Sequence, residues 1–198
     1  DSAEEALCLN NLGSLCLTMR EDDAAGVHLR QGLAICERDG IVGTRGYILS
    51  NLTDLALRAG DLAAAESHAG HAIEVATASG NRAVLSWAKT KVASLAVRRG
   101  DNDAARSALA EGLSVALELG SPSLKFYAVE SFAELLSAQG EVSCARRVLT
   151  YAADHPTASA PIRDEIRTRL DKLPASEHAE QGEHHGRSAG GNVTGRLY

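Results

Sequence analysis

Gly60-Asp61-Leu62-Ala63-Ala64-Ala65 returns forty residues later as Gly100-Asp101-Asn102-Asp103-Ala104-Ala105, and again as Gly140-Glu141-Val142-Ser143-Cys144-Ala145. Gly40, Gly80 and Gly120 fall midway, so a glycine stands every 20 residues from Gly40 to Gly140. Each closes an apolar periodic segment at the left-handed position that glycine alone adopts without steric cost. The spacing predicts helices of about 17 to 18 residues alternating with tight turns. The first row carries Arg20-Glu21-Asp22-Asp23-Ala24-Ala25 at the equivalent turn and lacks the glycine. The acidic residue after each turn is placed to cap the helix that follows and to complement its positive end.

The register extends through whole rows of forty. Leu12, Leu52, Val92 and Phe132 share one column, Leu15, Leu55, Leu95 and Leu135 another, and Ala25, Ala65, Ala105 and Ala145 a third. Within a row the apolar spacing is helical, as in Leu49, Leu52, Leu55, Ala56 and Ala59. Each row is therefore expected to be a helical hairpin. Ala65, Ala105 and Ala145, with Ala72, Gly112 and Ala152, leave room for the two helices to cross closely. A lone hairpin cannot bury both apolar faces, so the rows must stack into a solenoid.

These turn residues, together with Leu12-Gly13, Cys16, Ala25, Leu29 and Gly32 and their counterparts Leu52, Ala56, Ala65, Ala69 and Ala72, resemble the tetratricopeptide repeat family. The family's usual period is about 34 residues, and here both helices are longer. HEAT and armadillo repeats share the longer period, but the Gly-acidic turn followed by paired alanines is more specific to tetratricopeptides. The resemblance implies an all-α fold, a right-handed superhelical solenoid of about four hairpins at 1–40, 41–80, 81–120 and 121–160. Beyond it, Pro161 opens an amphipathic helix over 161–173. Its Ile162, Ile166, Leu170 and Leu173 are placed to cover the last hairpin. From Pro174 to Tyr198 the pattern gives way to glycine and polar residues, expected to form a flexible tail.

Composition agrees with an all-helical chain. Among 198 residues there are 34 alanines and 25 leucines, aromatics are 4%, and the first proline is Pro122. A formal net charge of -6 implies no basic surface of the kind that holds nucleic acid. No apolar run approaches the roughly 20 residues of a membrane span, and a cytoplasmic location is expected. Asp1 in place of methionine suggests a processed chain or a fragment of a longer polypeptide. Cys8, Cys16, Cys36 and Cys144 have no CxxC spacing and read as free buried thiols.

No phosphate loop, GxSxG or HExxH is present, so no enzyme, cofactor or metal is expected. His178, His184 and His185, in the glycine-rich tail, lack the rigid geometry a metal needs. His28 and His68, one repeat apart, read as packing or surface positions. Asn51-Leu52-Thr53 and Asn192-Val193-Thr194 match the glycosylation triplet and are set aside.

The stronger signal is a polar and aromatic stripe along the first helices. Tyr47, Asn51, Asp54 and Arg58 share a face, as do Trp87, Lys91, Ser94 and Arg98, and Tyr127, Ser131 and Glu134 with Ala138. Leu7, Asn11, Ser14 and Thr18 hold these places in the first row. The resemblance implies that this face lines a concave groove for a protein or peptide. Aromatics at its head with Asn, Lys and Arg below suit a peptide backbone and a carboxylate. The competing reading is that Tyr47, Trp87 and Tyr127 fill space between hairpins while the polar columns face water.

The expected function is that of a non-enzymatic binding module. It is similar to the helical-repeat sensor regions of large bacterial transcription regulators of the maltose-activator and streptomycete antibiotic-regulator types. The alternatives are a receptor for a peptide signal of the pheromone type, or a scaffold that self-associates through an uncovered first repeat bearing Leu7, Cys8, Leu9 and Leu12. No direct contact with nucleic acid or membrane is expected of this region.

Overall fold

The computed structural model describes residues 1–174; the tail predicted beyond Pro174, with its histidines and Asn192, lies outside them. The described residues form nine helices and no strand: α1 (Ser2–Thr18), α2 (Asp22–Asp39), α3 (Val42–Ala59), α4 (Leu62–Ser79), α5 (Arg82–Arg98), α6 (Asn102–Glu118), α7 (Pro122–Ala138), α8 (Val142–Asp154) and α9 (Ala160–Lys172). Odd and even helices pair as hairpins. The odd helices α3, α5 and α7 each pack on both helices of the hairpin before, which makes a helical-repeat solenoid.

The glycines do what their spacing predicts. Gly40, Gly60, Gly80, Gly100, Gly120 and Gly140 all have φ between 64° and 81°. Arg20 takes the same left-handed conformation, φ 64°, where the first row has no glycine. The acidic caps divide by side-chain length. Asp61 and Asp101 accept hydrogen bonds from the amides of Ala64 and Ala104, whereas the longer Glu21 and Glu141 make no such bond.

Ala65, Ala72, Ala105 and Ala145 are fully buried, and Ala152 nearly so. At Gly112 a Cβ would stand 3.0 Å from the Ser86 carbonyl oxygen, while Ser86 Oγ donates to the Gly112 carbonyl at 2.8 Å. The close crossing of helices thus brings backbone against backbone. Of the four free cysteines only Cys36 is buried; Cys16 and Cys144 are half-buried and Cys8 is exposed. The expectation of four buried thiols is corrected here: among the described residues α1 packs only on α2 and α3, which leaves Cys8 exposed.

Helix α9 folds onto α8 and touches α7. Ile166 is buried among Leu149, Ala152 and Phe126, with Ile162, Leu170 and Leu173 packed around this cluster. Arg146 of α8 donates to the carbonyls of Leu170, Leu173 and Pro174, satisfying oxygens that a helix end leaves open. None of the described helices is long and apolar enough to cross a membrane.

Candidate functional site

Neighbouring first helices meet at two fixed offsets on either side of forty. Asn51 Nδ2 donates to Asn10 Oδ1, Arg58 Nη1 to the Leu17 carbonyl, Arg98 Nη1 to the Leu57 carbonyl and Ser131 Oγ to the Thr90 carbonyl, each across 41 positions. Lys91 reaches Asp54, and Ser94 reaches Ser131, across 37. The offsets differ by four, one helical turn, so a side chain enters the gap between residues i and i+4 of the preceding helix. This stacking rule decides which members of the polar stripe face open space.

The C-terminal halves of α3, α5 and α7, with the α1–α2 turn on one side and α9 on the other, enclose a cavity of about 620 Å³. Asp54, Arg58, Lys91, Ser94, Arg98 and Glu134 line it, as the stripe predicts. The other expected groove residues do not. Asn51 is buried in its bond to Asn10, Ser131 is buried between Ser94 and Thr90, and Asn11 is exposed on α1. Trp87 and Tyr127 stack with ring centroids 5.7 Å apart and planes 14° from parallel, filling the space between α5 and α7. Tyr47 is half-buried at the equivalent place on α3. Trp87 and Tyr127 thus pack on each other between hairpins, and the cavity begins below them.

Within the cavity Asp54 is the hub. Lys91 Nζ lies 2.6 Å from its Oδ1 and Arg58 Nη2 2.9 Å from its Oδ2. Burial acts to raise the carboxyl, and Lys91 and Arg58 more than reverse it, holding Asp54 down at about 2. Arg58 also meets Asp22 at 3.3 Å, while Arg98 faces Glu134 at 3.6 Å. Most of the basic charge that stands out in the sequence is thus already spoken for inside the fold.

Sequence reasoning missed Arg20, Asp22, Glu130 and the contribution of α9, whose Glu165, Arg169 and Lys172 form one wall. A signal for Glu130 was available. Its column reads Asn10, Ser50, Thr90, Glu130, and all four are buried. Ser50 and Thr90 satisfy themselves by donating to carbonyls of their own helices. Glu130 is too long and too charged for that. Its Oε1 lies 3.3 Å from Arg169 Nε yet has no hydrogen-bond partner. Burial pushes its carboxyl up to about 7, against the pull of Arg169 and Lys91 and with the help of Glu165 and Asp54. Tyr127 is held up at about 12 by burial and by the same acidic neighbours.

Arg20 and Lys172 make no ion pair among the described residues, and both are exposed at the cavity rim. No group of three or more His, Cys, Asp or Glu among the described residues could hold a metal ion. No known protein family and no curated protein matches the chain.

Proposed function

We propose that the chain is a non-enzymatic binding module of the tetratricopeptide kind whose concave cavity holds a segment of a partner protein or peptide bearing carboxylates. The observation that supports this is the charged cavity itself. It is walled by first helices of three hairpins, and two rim cations, Arg20 and Lys172, have no ion pair among the described residues. Of the cavity carboxylates, Asp22, Asp54 and Glu134 are engaged by cations, Glu130 faces Arg169 at 3.3 Å, and Glu165 alone has no ion pair among the described residues, against the two rim cations. The open valence is therefore positive, and an acidic segment complements it. The resemblance supports placing the module in a larger bacterial signalling or transcription regulator, as its sensor or scaffold.

Selection of displayed random decapeptides on the full chain tests this. Enriched binders should be acidic, and should lose at least about tenfold in affinity, the effect of reversing two charge partners, against Arg20→Glu combined with Lys172→Glu. Binders that ignore both changes, or a basic enriched pool, would overturn the reading.

A further inference from the structure

The fourth hairpin departs from the repeat where the other three are tightest. Ala6, Gly46 and Ser86 form one column on the odd helices, and Gly32, Ala72 and Gly112 form another on the even helices, all of them small. In the fourth row the first column carries Phe126 and the second Ala152, and both are buried in one cluster. A phenyl ring is too wide for a crossing as close as that of Ser86 and Gly112. Helix α8 also stops after 13 residues, against 18, 18 and 17 in α2, α4 and α6. The wedged crossing and the early stop leave a slot of about 140 Å³ between the start of α7 and the end of α8. It has room for about one six-membered ring.

Its walls are aromatic where the repeat has none. Tyr151 stands 73% exposed in the column of the polar Gln31, His71 and Glu111. His155 takes the place of Ile35, Val75 and Val115. The imidazole lies edge-on to both Phe126 and Tyr151, with ring centroids 6.3 and 6.0 Å apart, and all three line the slot. Such rings favour another flat ring in edge or offset contact.

Its charge is positive. The Thr157 amide donates to His155 Nδ1 at 3.3 Å, and the Thr157 hydroxyl lies 2.9 Å from the same nitrogen. Nδ1 is thereby an acceptor, and the neutral ring carries its proton on Nε2 as a donor. Lys125, half-buried at the slot, makes no ion pair among the described residues. No acidic side chain lines the slot, and it shares no lining residue with the concave cavity. An unpaired ammonium beside aromatic walls complements a ligand with a ring at one end and an anion at the other.

We propose that the slot between α7 and α8 is a second binding site, which takes a small aromatic carboxylate with its ring against Phe126, Tyr151 and His155 and its carboxylate on Lys125.

Titration of the full chain with phenylacetate, followed through backbone amide resonances, tests this. Expected are saturable shifts at Lys125, Tyr151 and His155 and a dissociation constant below about 1 mM, the range open to a ligand of about ten heavy atoms. Phenylacetamide keeps the ring without the charge, and should bind at least about tenfold more weakly. Hexanoate keeps the charge without the ring, and should also be weaker. Lys125→Glu should lower phenylacetate affinity at least about tenfold and Tyr151→Ala severalfold, with circular dichroism unchanged because neither side chain is buried. No saturation by about 10 mM, phenylacetamide or hexanoate as tight as phenylacetate, or indifference to Lys125→Glu would overturn the proposal. Binding that survives Lys125→Glu and is lost with Arg20→Glu and Lys172→Glu would place the acid in the concave cavity instead.

Discussion

Arg58 donates to the carbonyl oxygen of Leu17 at 2.6 Å, tying the end of α3 to the end of α1. The same guanidinium holds Asp54 and Asp22, so it closes a helix terminus and a charge cluster together. Arg58→Ala should cost about 2 to 4 kcal/mol, since it leaves a carbonyl and the hub carboxylate without their cation. Urea unfolding followed by circular dichroism measures this. A loss of under about 0.5 kcal/mol, the size of an ordinary surface change, would show that the staple is ornamental.

Asp54 is held at about 2 in the folded chain, below the ordinary carboxylate value. A depressed pKa contributes stability that is present above the unfolded value and lost as pH falls through the folded one. Asp54 should therefore contribute about 2 kcal/mol at neutral pH, lost between about pH 4 and pH 2. Asp54→Asn should be destabilised at pH 7 and show a flatter stability profile over that acidic window.

Glu130 carries the opposite sign. Its folded pKa is raised to about 7, so the folded chain binds its proton more tightly than the unfolded chain does. Stability from this group falls as pH rises from about 4.5 toward 7 and stays lost above. Glu130→Gln should then raise the midpoint of thermal unfolding more at pH 8 than at pH 5. Equal effects at both would place the burden on Arg169 instead.

Arg20 occupies a left-handed backbone conformation with a side chain that disfavours it. Arg20→Gly should stabilise the chain by about 1 kcal/mol, the usual steric relief less the entropy glycine adds to the unfolded state. A differential scanning measurement showing destabilisation would mean that the rim guanidinium contributes more than the strain costs.

Ala105 is fully buried where α6 crosses its neighbours. Ala105→Leu should cost about 1 to 3 kcal/mol by overpacking. Denaturant midpoints identical to the unchanged chain would imply a looser crossing than the backbone shows.

The architecture was legible because its determinants are local and repeat. Gly40 to Gly140 fix the stops, and the Ala65, Ala105 and Ala145 column fixes the close crossings. The lining of the cavity was legible in the lower half of the stripe, at Asp54, Lys91 and Arg98. The upper half of the stripe does not reach the cavity because a column of forty describes equivalence, whereas contact follows 37 and 41; Asn51 and Ser131 bond to neighbours that equivalence does not name. The wall formed by Arg169 was hidden for another reason. Its partner Glu130 lies in a different repeat, and nothing near α9 in the chain announces the pairing.

The two stacking offsets make the backbone modular and the charges not. Excising residues 81–120 would join Gly80 to Ser121 and let α7 take the place of α5, with the apolar Leu135 where Leu95 had been. Ser131 would then face Asp54 in place of Lys91, and Ala138 would stand where Arg98 had fastened Leu57. A shortened protein of this kind would keep its stacking while losing the ionic lock, so a hairpin can be spared by the backbone and not by the cavity.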